Sequence, residues 1–219
     1  MNAQTRSNEI TRWLAVCGVL GPIMYLTAFT VAGLIRPGYS QVHQAVSDLG
    51  VGSSPLLLNG PGVALGLLLT AFVVGFFRSL GQALGDPWRW VCAVLLALPG
   101  FGFAWASIFT EAPSTVAIHW MVGMPLLAIG SIVGFFVTGL RLRRLAGWGG
   151  WGAYSMIAGV ATLAMIATMF ALWTTGLGGL LERLLFLELL TWYVAIGWRL
   201  FRLASPASTS PLRPSAGSS

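Results

Sequence analysis

Long apolar runs alternate with short polar segments along the chain. Each of the six runs reaches the length of about 20 residues that an α-helix needs to cross a bilayer. The runs lie at residues 13–35, 56–77, 88–110, 118–140, 151–175 and 180–201. This pattern predicts an all-α fold in which residues 1–203 form one domain, a bundle of six transmembrane helices. The polar residues 204–219 offer too little apolar surface to fold and are predicted to be a disordered cytoplasmic tail.

Composition supports the membrane assignment. Of the 219 residues, 56% are hydrophobic and 8% are charged, whereas about a quarter of the residues in a soluble domain are charged. The six runs account for nearly the whole chain, so we expect any function to lie within the helix bundle or at its ends. Cys17 and Cys92 both fall inside apolar runs and are interpreted as packed side chains, not as a disulfide or a metal site.

The distribution of arginine predicts the orientation of the bundle. If the N-terminus is cytoplasmic, ten of the twelve arginines fall on the cytoplasmic side and two, Arg36 and Arg183, fall outside. Because cationic residues concentrate on the cytoplasmic side, we expect a multi-pass protein of the bacterial inner (cytoplasmic) membrane with both termini inside. The net charge of +6 follows from this topology. The arginines flank apolar runs and form no basic stripe, so no nucleic-acid partner is predicted.

The segment QVHQAVSDL, between the first two runs, contains more polar and ionisable residues than a simple connecting loop needs. Its apolar residues recur at helical spacing and are Val42, Ala45, Val46 and Leu49. This spacing predicts a short amphipathic outer helix between helices 1 and 2, ended by Gly50. Asp48 would lie in its last turn, where the helix dipole disfavours an anion. Three interpretations of Asp48 stay open: a salt bridge to Arg36 or Arg183, a cap of a new turn, or a functional role.

Other ionisable residues fall at the same outer helix ends. Glu111 ends predicted helix 3 and His119 lies about one turn into helix 4, so a tight loop brings them together. Glu111 is then a possible hydrogen-bond partner of a buried neutral histidine. We predict an outer polar cluster that consists of Ser47, Asp48, Glu111, His119, Glu182 and Arg183.

Glu188 is a separate candidate because it lies inside the sixth run. The rise of about 1.5 Å per residue places it about 9 Å deeper in the membrane than Glu182. A charge at that depth costs about 2.5–3.5 kcal/mol even on the lenient scale. Glu188 is therefore expected to face the interior of the bundle, either protonated or paired. Two interpretations stay open: a functional intramembrane acid, or an acid shallow enough to snorkel to the interface.

Small residues and prolines suggest how the helices pack. Without a hydrophobic drive between helices in lipid, close contacts depend on small side chains. The candidates are Gly62 with Gly66 in helix 2, and Gly130 with Gly134 in helix 4. Pro99 in helix 3 has two interpretations: a break that lines a site, or an ordinary packed proline. The packed proline is favoured.

Two segments resemble a known family. The loop RPGYSQVHQAVSDLGVG and the opening of helix 6, GLGGLLERLLFLELLTW, are similar to bacterial and archaeal membrane proteins grouped as Domain of Unknown Function 998. The resemblance spans residues 13–201, and it includes an acid followed by histidine that fits Glu111 and His119. It implies six membrane helices, and it places emphasis on Ser47, Asp48, Gly50, Glu182 and Arg183. It implies no reaction.

Two classes of function are compatible with the sequence. The favoured class is non-enzymatic: a small transporter, a lipid-binding or sensing module, or an accessory module, whose outer cluster binds a small-molecule or lipid ligand or holds the helices together. Membrane lipids are the predicted partners. The alternative is a membrane-embedded hydrolase, with or without assistance from a metal ion, that acts on a lipid or other amphipath at the outer face.

The hydrolase is the less favoured class. Its general acid, general base or metal ligands would be Asp48, Glu111, His119 and Glu182. With two histidines, no H-E-x-x-H motif and no nucleophile elbow, the sequence assigns no catalytic residue and no metal site. It names no cofactor and no oligomeric state.

Overall fold

The computed structural model describes residues 3–204, with side chains from Asn8 onward. It contains six helices long and apolar enough to cross a membrane. They are α1 (Ala3–Ile35), α2 (Leu56–Leu84), α3 (Trp88–Ile108), α4 (Val116–Leu142), α5 (Gly149–Ala171) and α6 (Gly178–Leu203). The described residues contain no strand, so the all-α, six-helix fold is confirmed. Residues 205–219 of the predicted tail lie outside the described part.

One end of the bundle carries the connection between α1 and α2, residues 36–55. We call these residues the long loop. The α3–α4 connection and the α5–α6 connection lie at the same end, because consecutive helices in the bundle alternate in direction. We call this end the loop end.

Helix α6 lies at the centre of the bundle. Its Trp192 stacks on Phe135 of α4 at a ring-centroid distance of 4.2 Å and meets Phe72 of α2 edge-on at 6.4 Å. The neighbouring Tyr193 donates a hydrogen bond of 2.8 Å to the Leu96 carbonyl of α3. All four aromatic side chains are fully buried. They fill the middle of the bundle.

The glycine pairs bring α2 and α4 close to α3. A Cβ on Gly66 would lie 2.5 Å from the Gly100 carbonyl, and one on Gly130 would lie 2.2 Å from the Pro99 ring. Helix α3 is continuous through Pro99. The structure therefore supports the packed-proline interpretation, and the broken helix is not observed.

Helix α4 is interrupted by two π-helical turns, His119–Gly123 and Gly130–Gly134. Pro125 follows the first of them. A proline removes one helical hydrogen bond and crowds the carbonyl four residues earlier, and a π turn just before it accommodates both effects. Turns of this kind are frequent at functional sites. Here the first π turn begins with His119.

The outer amphipathic helix is reduced to a single 3₁₀ turn, Ser47–Gly50. The residues before it form turns, and the glycine with a left-handed φ is Gly52, at 95°, not Gly50. The periodicity is correct, but the backbone of this segment is bonded elsewhere: the Val42 carbonyl accepts a hydrogen bond from the Leu180 N–H of α6. Tertiary hydrogen bonds have replaced the intrahelical ones.

Candidate functional site

Arg183 of α6 attaches the long loop to the bundle. Its Nη1 donates to the Gln44 carbonyl at 3.0 Å and to the Gly179 carbonyl at 2.9 Å. Its Nη2 donates to the Tyr39 hydroxyl at 2.6 Å, and that hydroxyl donates to the Ala45 carbonyl at 2.6 Å. We call these contacts the loop clamp. Burial raises the pKa of the Tyr39 phenol, so its hydroxyl keeps the proton that this chain of hydrogen bonds needs.

The side chain of Glu182, the neighbour of Arg183, binds the backbone of the same loop. Its Oε2 accepts a hydrogen bond of 2.6 Å from the Val46 N–H. Gly179 makes this approach possible, because a Cβ there would lie 2.1 Å from the Gln44 carbonyl oxygen. The first two turns of α6 are thus shaped to receive the loop.

Asp48 acts within the loop. Its Oδ2 accepts a hydrogen bond of 3.0 Å from the Ala45 N–H three residues earlier, which ties the 3₁₀ turn to the residues before it. The salt bridge to Arg36 or Arg183 is not formed among the described residues. Arg36 donates instead to the carbonyls of Asp48 and Val51, at 2.6 and 3.0 Å. A loop with few regular hydrogen bonds leaves such carbonyls in need of donors, and the arginines supply them.

Glu111 and His119 lie close together, as their spacing predicts. His119 Nδ1 lies 2.8 Å from the Phe109 carbonyl and 3.1 Å from the Ala106 carbonyl. Because both partners are acceptors, Nδ1 carries the proton. In the neutral ring Nε2 is then an acceptor. It lies 3.7 Å from Glu111 Oε1, beyond hydrogen-bond distance, and that buried oxygen has no hydrogen-bond partner among the described residues.

A small cavity lies beneath the long loop, between α1, α2, α3, α4 and α6. Its volume of about 30 Å³ holds one or two water molecules. The polar part of its wall consists of Ser47, Asn59, Ser107, Thr110, His119 and Glu182. Its apolar part includes the rings of Tyr25, Phe103 and Phe186.

The predicted cluster therefore divides between two places. Ser47, His119 and Glu182 line the cavity, whereas Asp48 and Arg183 hold the loop above it. Glu111 contacts the cavity through His119.

Sequence analysis did not identify Tyr25, Asn59, Ser107 and Thr110 as site residues. For Asn59, Ser107 and Thr110 the available signal was a polar side chain near the loop end of an apolar run. Tyr25 had no such signal, because a tyrosine inside an apolar run is typical of a packed side chain.

A family model described as "Protein of unknown function (DUF998)" matches residues 19–199. The chain belongs to this family. Among curated proteins and among solved structures no significant match was found. The DUF998 match confirms the family that the long loop and the start of α6 resemble, and it covers every residue of the cavity wall. It assigns no activity, so the function is argued from the site.

Glu188 lies apart from the cavity. Its Oε2 lies 2.8 Å from Thr162 Oγ1 of α5, as expected for a paired acid. Thr162 Oγ1 also lies 3.0 Å from the Ala158 carbonyl. The hydroxyl has one proton for these two acceptors. If the proton points to Ala158, both contacts are satisfied only when Glu188 is protonated and donates to Thr162, which also avoids a charge inside the membrane.

We therefore expect a hydrophobic carbodiimide, which reacts with protonated carboxyl groups, to modify Glu188 at neutral pH. Mass spectrometry of the tryptic peptide 184–199 measures this directly, because Glu188 is its one acidic residue. The Glu188→Gln variant is the control and should give no adduct on this peptide. A wild-type peptide that stays unmodified while other carboxyl groups react would show that Glu188 is ionised.

Proposed function

We propose that this protein is a non-enzymatic ligand-binding module of the cell membrane, and that the cavity at the loop end takes the polar group of a small-molecule or lipid ligand. One observation carries the proposal. Two polar groups in the wall, the Tyr25 hydroxyl and His119 Nε2, have no hydrogen-bond partner among the described residues. Both side chains are more than nine-tenths buried, with exposures of 5% and 7%. Buried polar groups without partners are costly, and a ligand would satisfy these two.

The arginine distribution supports an extracytoplasmic position for this cavity. Ten of the twelve arginines lie in sequence beside the opposite helix ends or in the terminal segments, and cationic residues favour the cytoplasmic side. The two arginines of the loop end, Arg36 and Arg183, are bound to backbone carbonyls. We therefore place both termini in the cytoplasm and the ligand on the outer side of the membrane.

The centre of the bundle favours binding over passage. Below the cavity, the side chains of Phe72, Phe135, Trp192 and Tyr193 are each 0% exposed. They leave no space through which a ligand at the loop end could cross. In this conformation the module holds its ligand on one side, as a sensing or accessory subunit would.

The loop clamp supports the same function, because it fixes the roof of the cavity before a ligand arrives. Ser47 and Gly50 of the 3₁₀ turn form part of the wall. A preformed site avoids the cost of ordering a loop on binding. The clamp is thus a means of gaining affinity with a small contact area.

Binding is tested with small polar probes that differ in charge: ethylammonium, ethanol and acetate. A probe that binds the folded protein raises its melting temperature in proportion to the logarithm of its concentration. We expect at least one probe to do so in wild type and none in Thr110→Leu, which replaces a wall hydroxyl with a larger apolar side chain. Thr174→Leu is the matched control, because Thr174 is exposed in the α5–α6 connection. Equal responses of wild type and Thr110→Leu to every probe would contradict the proposal.

A second candidate is the membrane-embedded hydrolase, and one observation favours it. Because Nδ1 of His119 carries the proton, Nε2 is a proton acceptor beside a cavity that Ser47 and Ser107 also line. A general base next to a hydroxyl nucleophile needs such a tautomer. However, Glu111 lies against Nε2, whereas an orienting carboxylate should contact Nδ1.

The metal-assisted form has little structural support. Within residues 3–204, no three His, Cys, Asp or Glu side chains are grouped closely enough to hold a metal ion. The hydrolase candidate as a whole is tested by incubating the protein with a short-chain fluorescent phospholipid. Release of product by wild type that is lost in both His119→Ala and Ser107→Ala would favour it over the binding module.

A further inference from the structure

We propose that the group bound in the cavity is a primary ammonium group, carried by a free amine or by the head of an amine-bearing lipid. This inference rests on the proposed binding function and names the ligand's chemistry. Three features of the wall support it: the state of its hydrogen-bonding groups, its charge and its aromatic floor. The size of the cavity adds a further limit.

The described wall combines groups that only accept hydrogen bonds with hydroxyls that can donate or accept. The Asn59 amide N–H is bound to the Gly50 carbonyl at 2.9 Å, and the His119 Nδ1–H is bound to backbone carbonyls. What remains are two groups that accept, Nε2 of the neutral His119 ring and the carboxylate of Glu182, and hydroxyls that can either donate or accept, those of Tyr25, Ser47, Ser107 and Thr110. An ammonium group has three donors and no acceptor. It can donate to any of these groups, whereas a carboxylate or phosphate ligand would be repelled by the carboxylate of Glu182.

The charges near the cavity also favour a cation. Glu182 lies in the wall, and Glu111 is close enough to repel it electrostatically. The cations of the loop end lie above the cavity: Arg183 binds the Gln44 carbonyl and Arg36 the Asp48 carbonyl. No arginine belongs to the wall as far as the structure describes it. Arg183 attracts Glu182 from above, but both Glu111 and Asp48 repel it, and a bound cation would offset this excess of negative charge.

The floor of the cavity is a three-ring aromatic cluster. Tyr25 of α1 lies 5.2 Å from Phe103 of α3, and Phe103 lies 5.3 Å from Phe186 of α6, between ring centroids. All three rings are at most 7% exposed. Aromatic rings attract cations that lie over their faces within about 6 Å of the centroid, and desolvation strengthens the attraction to about 2 kcal/mol. Aromatic rings below and a carboxylate above are a suitable environment for an organic ammonium group.

The size of the cavity selects among ammonium groups. A space of about 30 Å³ accepts a group the size of a water molecule or slightly larger. A primary ammonium group fits, whereas a trimethylammonium group would have to displace the rings. The same limit keeps the rest of a lipid outside the cavity.

The proposal is tested by thermal shift on the full-length protein in phosphatidylcholine nanodiscs. Ethylammonium chloride should raise the melting temperature more than sodium chloride, ethanol, sodium acetate or ethyltrimethylammonium chloride at equal concentration. In Glu182→Gln the apparent dissociation constant for ethylammonium should rise at least about tenfold, since one charge–charge contact worth about 1.4 kcal/mol is lost. The glutamine oxygen can still accept from Val46 N–H, so this variant should fold. Asp86→Asn, at an exposed acid of the opposite end, is the control and should bind as wild type does.

A second arm distinguishes the two sources of the amine. In nanodiscs that contain phosphatidylethanolamine, native mass spectrometry should show one retained molecule of this lipid in wild type and none in Thr110→Leu if the amine is a lipid head. If ethylammonium binds but no phosphatidylethanolamine is retained, the source is a free amine. Either result supports an ammonium ligand.

The outcomes that overturn the inference differ from those that overturn the proposed function. If ethanol, acetate or sodium chloride stabilises wild type as much as ethylammonium does, and Thr110→Leu abolishes that effect, the cavity binds ligands but the ammonium assignment is wrong. An ethyltrimethylammonium response equal to that of ethylammonium would contradict the size argument and overturn the restriction to primary amines. If no probe and no lipid distinguishes wild type from Thr110→Leu, both proposals fail.

Discussion

Replacing Arg183 with alanine is expected to lower the free energy of unfolding by about 3 kcal/mol, because hydrogen bonds to a charged group contribute about 1.5–3 kcal/mol each. The substitution removes the donors to the Gln44 carbonyl and the Tyr39 hydroxyl. The Gln44 carbonyl would keep only the longer hydrogen bond of 3.2 Å from the Tyr39 hydroxyl, and that half-buried hydroxyl would lose its own donor. Arg183→Lys should recover only part of the loss, because one ammonium group does not reproduce the planar arrangement of guanidinium donors.

Denaturant titration in detergent, followed by circular dichroism, measures this effect. Arg144→Ala is the matched control, since Arg144 is an exposed arginine at the opposite end of the bundle, and surface substitutions usually change stability by less than about 0.5 kcal/mol. If Arg183→Ala proves as stable as Arg144→Ala, the loop is held by something other than this clamp.

Gly179→Ala should destabilise the protein by about 1–3 kcal/mol, the usual cost of forcing a methyl group into a packed position. Its Cβ would lie 2.1 Å from the Gln44 carbonyl oxygen, and this neighbour is backbone that cannot rotate away. The loop must move, and it takes with it the Val46 N–H that Glu182 binds. We therefore also expect weaker ligand binding in this variant.

The neighbouring glycine provides the control. At Gly178 the nearest atom to a new Cβ is 3.7 Å away, on the Trp173 ring, so Gly178→Ala should remain within about 0.5 kcal/mol of wild type. Both variants replace glycine with alanine, at adjacent positions of the same helix. If the melting temperatures of both variants fall equally, the loss of stability comes from a methyl group at the α6 terminus and not from the loop contact.

The Arg183 and Gly179 variants test two different features that hold the long loop in place. Arg183 supplies the bonds that hold the loop, and Gly179 supplies the space in which it lies. Because Ser47 and Gly50 of the loop form part of the cavity wall, damage to either part should disturb the binding site before it disturbs the six-helix bundle. Retained helicity with weakened ligand binding is the expected result in both.

The sequence by itself determined the six helices and the end at which the polar chemistry gathers. Helix length in a membrane is a one-dimensional signal, set by the thickness of the bilayer. The positions of Glu111, His119, Glu182 and Arg183 along the chain place them at one end of the bundle in any packing of alternating helices. The small-residue rule likewise identified Gly66 and Gly130, although it did not say which helix they contact.

Only the tertiary structure decided what these residues do. The periodicity of QVHQAVSDL is helical, yet α6 takes its backbone hydrogen bonds and leaves one 3₁₀ turn. Asp48 binds a backbone amide and not an arginine, because Arg36 and Arg183 are committed to carbonyls that lie far from them in sequence. Tyr25 became part of a site only because five helices meet around it. Local sequence carries no record of such long-range partners, whereas the packed bundle fixes each of them.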